Sequence, residues 1–217
     1  MKTEIRKARK NSPSLIEENY LISRGYNYVA GIDEVGRGAL AGPVVAAAVI
    51  LPASHDLSSL CDVRDSKEVT PSKREFLYNI IQGVSISIGI GIVLQQTIDQ
   101  VNILNATMMA MHTAVKELTC SPDFLLIDGM TVSDIQIEQK RIVQGDKLCL
   151  SIACASIIAK VTRDNIMIDL NNIYPKYGFA KHKGYGTKYH ITCLNTYGPS
   201  PVHRYSFMPV KKSVLLR

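Results

Sequence analysis

Four acidic residues stand where hydrophobic segments give way to glycine: Asp33 and Glu34 in GIDEVGRG, Asp128 in LLIDG, and Asp146 in VQGDK. An acid at the end of a buried strand is costly unless it is solvated, paired or bound to a cation. Several such acids meeting at one sheet edge repel each other, and a divalent metal resolves that conflict. An all-oxygen ligand set without a Cys or His cluster favours Mg²⁺ or Mn²⁺ over zinc. Taken singly, each acid also reads as a cap or loop charge. What favours chemistry is their number, combined with the basic character of the C-terminal segment.

The formal net charge of +6 is unevenly distributed. From Leu170 onward there are eight Lys and Arg and no Asp or Glu, so this segment carries +8 and the preceding residues sum to −2. The same segment holds six of the ten tyrosines (174, 177, 185, 189, 197, 205) and three of the five histidines (182, 190, 203). Cations interleaved with flat aromatic rings suit a nucleic acid, whose phosphates and sugars they can hold. A solvated, soluble surface is the competing reading. Carboxylates facing such a segment make sense for an anionic substrate, because metal ions bridge carboxylates and phosphates; two-metal phosphodiester hydrolysis has this logic.

The elements that must position these residues read as a mixed α/β sheet with helices packed on it. Residues 28–36, 43–51 (PVVAAAVIL) and 84–94 (VSISIGIGIVL) form three strands expected to pair as an antiparallel meander. Thr70-Pro71 opens a helix running to about Gln82. Apolar spacing predicts a helix over 97–118, a buried parallel strand over 124–127, a strand over 140–143 and an Ala-rich helix over 151–170. Adjacent residues of a regular strand face opposite ways, so Asp33 and Glu34 reach one metal pair only if the strand ends or bulges there.

The segments YVAGIDEVGRG (28–38), PVVAAAVIL, DSK (65–67), IDG (127–129), GD (145–146), ASIIAKVTRD (155–164), HKGYGT (182–187) and GPSPVHR (198–204) together resemble ribonuclease HII. They occur in family order over roughly residues 15–210. The resemblance implies an RNase H-like mixed five-stranded sheet flanked by helices, with a small helical and loop C-terminal appendage. It also implies metal-dependent endonucleolytic cleavage of RNA in RNA–DNA hybrids, and of duplex DNA 5′ of embedded ribonucleotides, leaving 3′-OH and 5′-phosphate ends. It puts the catalytic and metal-binding roles on Asp33, Glu34, Asp128 and Asp146, with two Mg²⁺ or Mn²⁺ ions. Recognition of the 2′-hydroxyl falls on Gly36, Arg37 and Gly38, and packing on the next sugar on Tyr185. A 2′-hydroxyl is the local feature that separates a ribonucleotide from its DNA neighbours, so a reader must touch it closely. The chain departs from the family at Ala39, at Gln144 and Lys147 beside Asp146, and at Tyr205; the changes beside Asp146 bear on the surroundings of a metal ligand.

Other residues carry paired readings. Lys160 reaches phosphate or lays its stem along the surface. Ser66 and Lys67 touch the substrate backbone or form an ordinary turn. His190, His203 and Arg204 meet phosphate, or the histidines pack. Asp164 is a helix-face ion pair or a substitute for Asp146, and Cys154 is core. The expected division is a basic extension over 1–26, a catalytic domain over 27–172 and a substrate-binding segment over 173–217. A cytoplasmic monomer without disulfide, zinc or membrane span is expected, with a replication-machinery partner left open. Two competing classes are a non-catalytic duplex-binding protein and a dinucleotide-binding enzyme, since Gly36-x-Gly38-x-x-Ala41 formally fits that fingerprint. Ribonuclease HIII is the nearest alternative family, but it carries a larger segment before its first catalytic Asp.

Overall fold

The computed structural model describes residues 12–53, 57–64, 66 and 69–215. Lys67, one of the expected substrate contacts, lies outside them, as do Asp65 and the basic residues 1–11. Helix α1 (Ile16–Ser23) precedes strand β1 (Val29–Val35), which turns through Gly36-Arg37-Gly38 into β2 (Val44–Ile50). Helix α2 (Pro71–Val84), strand β3 (Ser87–Val93) and helix α3 (Gln95–Lys116) follow. Then come β4 (Phe124–Asp128), β5 (Glu138–Ile142), the one-turn α4 (Gly145–Leu148) and the long α5 (Leu150–Ile173). Three short helices complete the chain: α6 (Phe179–His182), α7 (Lys188–Tyr197) and α8 (Met208–Leu215).

The sheet is five-stranded in the order β3-β2-β1-β4-β5. β1, β2 and β3 pair antiparallel, as the meander reading expected, whereas β4 lies parallel to β1 and β5 parallel to β4. The all-buried β2 explains its unbroken apolar run, since a central strand covered on both faces has no solvent side to mark. On one face Val45, Ala47 and Val49 pack with Leu77, Ile81, Ile157 and Ile158 from α2 and α5. On the other, Ala46, Ala48 and Ile50 pack with Ile98, Ala110 and Met111 from α3. Gly89 and Gly91 admit α3 closely: a Cβ on either would lie 1.9 Å from the carbonyl oxygen of Ala114 or Ala110.

Two local features differ from the sequence expectation. Thr70 caps α2 through its side chain, as read, but α3 is broken at Asn102 (φ 70°, ψ 168°), whose Oδ1 accepts the amide of Asn105 and restarts the helix. Asn tolerates positive φ and caps helices, so the apolar periodicity runs through the break unmarked. The basic C-terminal segment, expected as an appendage, shares a core with the sheet domain: Tyr177, Phe179, Cys193 and Val202 pack on Ala41 and Met167. Among the described residues no helix is long and apolar enough to cross a membrane.

Candidate active site

β1 and β4 run parallel, and their last paired residues are Ile32 and Ile127. Asp33 and Asp128 stand one step beyond, side by side on the sheet face that α5 covers. The carboxyl ends of neighbouring parallel strands are where open α/β sheets bind ligands. β1 stays in register with β2 through Val35 without a bulge, so the side chain of Glu34 leaves the strand on the face opposite to that of Asp33, although pairing with β4 has already stopped at Ile32. Glu34 therefore projects at the open end of the sheet, where Arg37 Nη1 lies 3.3 Å from its Oε1. Asp128 Oδ1 accepts the amide of Gly145 at 2.7 Å, tying the start of α4 and hence the buried Asp146 to the end of β4.

Asp33 is the most constrained of the four. Burial, with the charges of Glu34 and Asp128, pushes its carboxyl well above the usual carboxylate range, against hydrogen bonds from the Ser156 hydroxyl and the Glu34 amide. A buried acid under the charge of two others is a poor structural choice and a good cation ligand. The donor chemistry thus fits a hard divalent ion, although no three His, Cys, Asp or Glu among the described residues already close around one point. Ser66, read from sequence as a substrate contact, is instead buried with its hydroxyl 2.9 Å from that of Ser156, so it braces the residue that holds Asp33.

The loop beyond β1 is set by two arginines that composition had counted as phosphate binders or surface ions. Arg163, in α5, is fully buried and donates to the carbonyls of Pro43 (2.9 Å), Lys183 (2.9 Å) and Ala41 (3.1 Å). Arg204 is also fully buried; its Nε and Nη2 donate to the Gly42 carbonyl and its Nη1 to that of Arg37. Burial and the nearby Arg163 bring its pKa down to about 9. Arg204 therefore cannot hold a phosphate; it holds the loop that carries Arg37. Gly36, at φ +95°, leaves room for Arg163: a Cβ there would sit 2.2 Å from Nε. Arg37 and Gly38 are exposed.

The C-terminal segment is stitched to this loop. The Leu40 amide donates to Gly184 (2.8 Å), the Arg204 amide to Leu40 (2.9 Å) and the Gly42 amide to Val202 (2.8 Å). Asp99 accepts the amides of Tyr205 and Ser206 at 2.8 and 2.9 Å. Tyr185 is thereby brought next to the Gly-Arg-Gly loop, half-buried, with the Arg163 guanidinium 5.4 Å from its ring centre. His190 and His203 are fully buried and bonded to each other, so neither presents a ring to phosphate; burial drives their pKa values down to about 4 and about 3.

Lys160 pairs with Asp164 at 2.7 Å, and Arg74 lies 3.5 Å from the same carboxylate, which commits Asp164 to an ion pair and removes it as a substitute for Asp146. The dinucleotide reading also falls: Gly36-x-Gly38-x-x-Ala41 leads into β2, not into a helix. One acid escaped the sequence reading altogether. Glu18 of α1 is buried, accepts both the amide and the hydroxyl of Ser151 at the start of α5, and has its pKa raised by burial.

The family model described as Ribonuclease HII matches residues 30–210. The chain belongs to the ribonuclease HII family. A ribonuclease HII from Dehalococcoides mccartyi is 52% identical over 199 residues, 92% of this chain and 94% of that protein. The crystal structure of ribonuclease H2 from Pyrococcus horikoshii OT3 superposes with a TM-score of 0.71 at 26% identity, covering 86% of this chain and 96% of that one. A Bst-RNase HIII described in complex with Mn²⁺ shares the fold at 20% identity, with a TM-score of 0.66 over 88% of this chain and 70% of its own. The protein is thus a ribonuclease H enzyme of the HII type, from a family that depends on divalent metal.

Proposed function

We propose that this enzyme cleaves the RNA strand of RNA–DNA hybrids and cuts duplex DNA 5′ of an embedded ribonucleotide, with Asp33, Glu34, Asp128 and Asp146 as ligands of two Mg²⁺ or Mn²⁺ ions. The observation that carries this reading is Asp33, held buried against the charges of Glu34 and Asp128 beside the exposed Arg37 and Gly38. Two divalent ions held by these carboxylates would supply an activated water and offset the charge developing on the leaving 3′-oxygen, which gives 3′-OH and 5′-phosphate ends.

The chain's own residues do the rest. Ser156 and Ser66 hold Asp33 in place, and Asp128 fixes the turn that carries Asp146. Exposed backbone at Arg37 and Gly38 can approach a 2′-hydroxyl closely, which is the means of telling ribose from deoxyribose. Tyr185, bonded through its loop to Leu40, offers a flat face to the following sugar. Deoxyribose fits there and an extra hydroxyl crowds it, so the pair favours an RNA-to-DNA junction. Exposed lysines of 173–217 lie ready for backbone phosphates, whereas Lys160 is held in its ion pair with Asp164; this segment serves as the substrate-binding part and 27–172 as the catalytic body of a monomer. A binding protein without catalysis is the competing reading. Incubating a labelled hybrid with and without divalent metal separates them, because metal-dependent cutting belongs to the enzyme alone and uncut but retarded hybrid to the binder.

A further inference from the structure

Two buried histidines have no part in the chemistry above, yet their hydrogen bonds run in one direction. The Ser200 amide donates to His203 Nδ1 at 2.9 Å, and the Ser200 hydroxyl lies 2.8 Å from the same nitrogen. An amide only donates, so His203 Nδ1 carries no proton, and the neutral ring bears its proton on Nε2. His203 Nε2 is 2.9 Å from His190 Nε2, which must then accept. That leaves the proton of His190 on Nδ1, 3.0 Å from the Tyr185 carbonyl to which it donates. With both rings uncharged, no other tautomer pair satisfies every contact. Neutrality follows from their full burial among Phe179, Tyr177 and His182.

The loop they hold needs holding. Between α6 and α7 the chain passes through Lys183 at φ 51° and Gly184 at φ 82°, a conformation that costs a lysine side chain energy. His182 takes the Gly184 amide on its Nδ1 at 3.2 Å, so the peptide units on either side of Gly184 and Tyr185 are gripped by two histidines whose rings stack 4.4 Å apart. We propose that Ser200, His203 and His190 form a directed hydrogen-bond relay that positions Tyr185, and thereby sets the enzyme's preference for a ribonucleotide followed by deoxyribose. His190 and His203 are positioning residues; they do not touch substrate. The inference rests on the reading of Tyr185 given above.

The first arm of the test leaves the chain unaltered. In the ¹⁵N-histidine spectrum of the full-length protein at pH 7, His190 should be the Nδ1–H tautomer and His203 the Nε2–H tautomer. A protonated ring, or the reverse pair, overturns the relay. The second arm is kinetic. His190→Leu removes the side-chain donor to the Tyr185 carbonyl and leaves it only the Thr187 amide, whereas His190→Asn keeps a side-chain donor near the position of Nδ1. In His190→Leu, kcat/KM on a duplex with one embedded ribonucleotide should fall about tenfold relative to a continuous hybrid, and His190→Asn should restore most of the ratio. An equal loss on both substrates overturns the proposal, since a merely structural role would not change the ratio. If Tyr185→Ala leaves the ratio unchanged, the reading of Tyr185 is what fails. If Tyr185→Ala abolishes the preference and His190→Leu does not, the relay fails while Tyr185 stands. Should His190→Leu not fold, the tautomer spectrum and His190→Asn still decide.

Discussion

Replacing Gly36 by alanine adds one methyl group at the point where the reader loop crosses Arg163. The φ of +95° is costly for an L-residue, about 1–2 kcal/mol. The new Cβ would lie 2.2, 2.7 and 2.9 Å from Nε, Cδ and Cζ of Arg163. That side chain cannot swing aside freely, because it is pinned to three carbonyls. Shifting Nε out of contact breaks its 2.9 Å bond to Pro43, a charged buried hydrogen bond worth about 1.5–3 kcal/mol. The sum is a loss of about 2.5–5 kcal/mol, set against a total stability of about 5–15 kcal/mol. With a urea m-value of about 3 kcal/mol/M, the unfolding midpoint should drop by about 0.8–1.7 M. Gly38→Ala is the control two residues away: no atom lies within 4 Å of its Cβ and its φ is not positive, so its midpoint should move by less than about 0.2 M. Urea titration of the two variants beside the wild type reads this directly. Equal midpoints for Gly36→Ala and Gly38→Ala would refute the claim that Arg163 fixes the loop from beneath.

The remaining predictions concern charge. Glu18 has a folded-state pKa raised by burial, so its contribution is fully favourable only below the ordinary carboxyl value near 4.5 and is lost as pH rises through the folded value. Thermal unfolding of Glu18→Gln and wild type between pH 4 and 8 should therefore show a gap that moves in the variant's favour with rising pH; a constant gap contradicts the assignment. Lys181 and Lys188 are exposed, unlike Arg204, so changing each to alanine should lower the slope of log K against log salt by about 0.9 on duplex binding. Filter binding of an uncut hybrid in chelator measures it, and unchanged slopes would remove these lysines from the interface.

The carboxylates were legible because each ends a recognisable hydrophobic segment beside glycine, and strand pairing then brings Asp33 and Asp128 together with nothing further required. Arg163 and Arg204 were not legible in their roles. Charge counting treats every arginine as a surface cation, and the carbonyls that satisfy these two come from residues 37–43 and 183, distant in sequence. A faint signal existed for Arg163, which continues the three- or four-residue spacing of Ile152, Ser156 and Ala159 towards Met167 on the buried side of α5. The C-terminal segment shows the same limit: +8 describes its formula, but Arg204 is spent on holding a loop and His190 and His203 are kept neutral. Separately, the break at Asn102 has no Gly or Pro to announce it.

The account stands most directly on the cut site. A duplex with a single embedded ribonucleotide, end-labelled on that strand, should be cut once, on the 5′ side of the ribonucleotide, in Mg²⁺ or Mn²⁺ and not in chelator. Asp128→Asn keeps an oxygen for the Gly145 amide, and so the fold, but should bind this duplex while leaving it uncut. Full cutting by Asp128→Asn, cutting in chelator, or a cut on the 3′ side of the ribonucleotide would contradict the assignment of the four carboxylates.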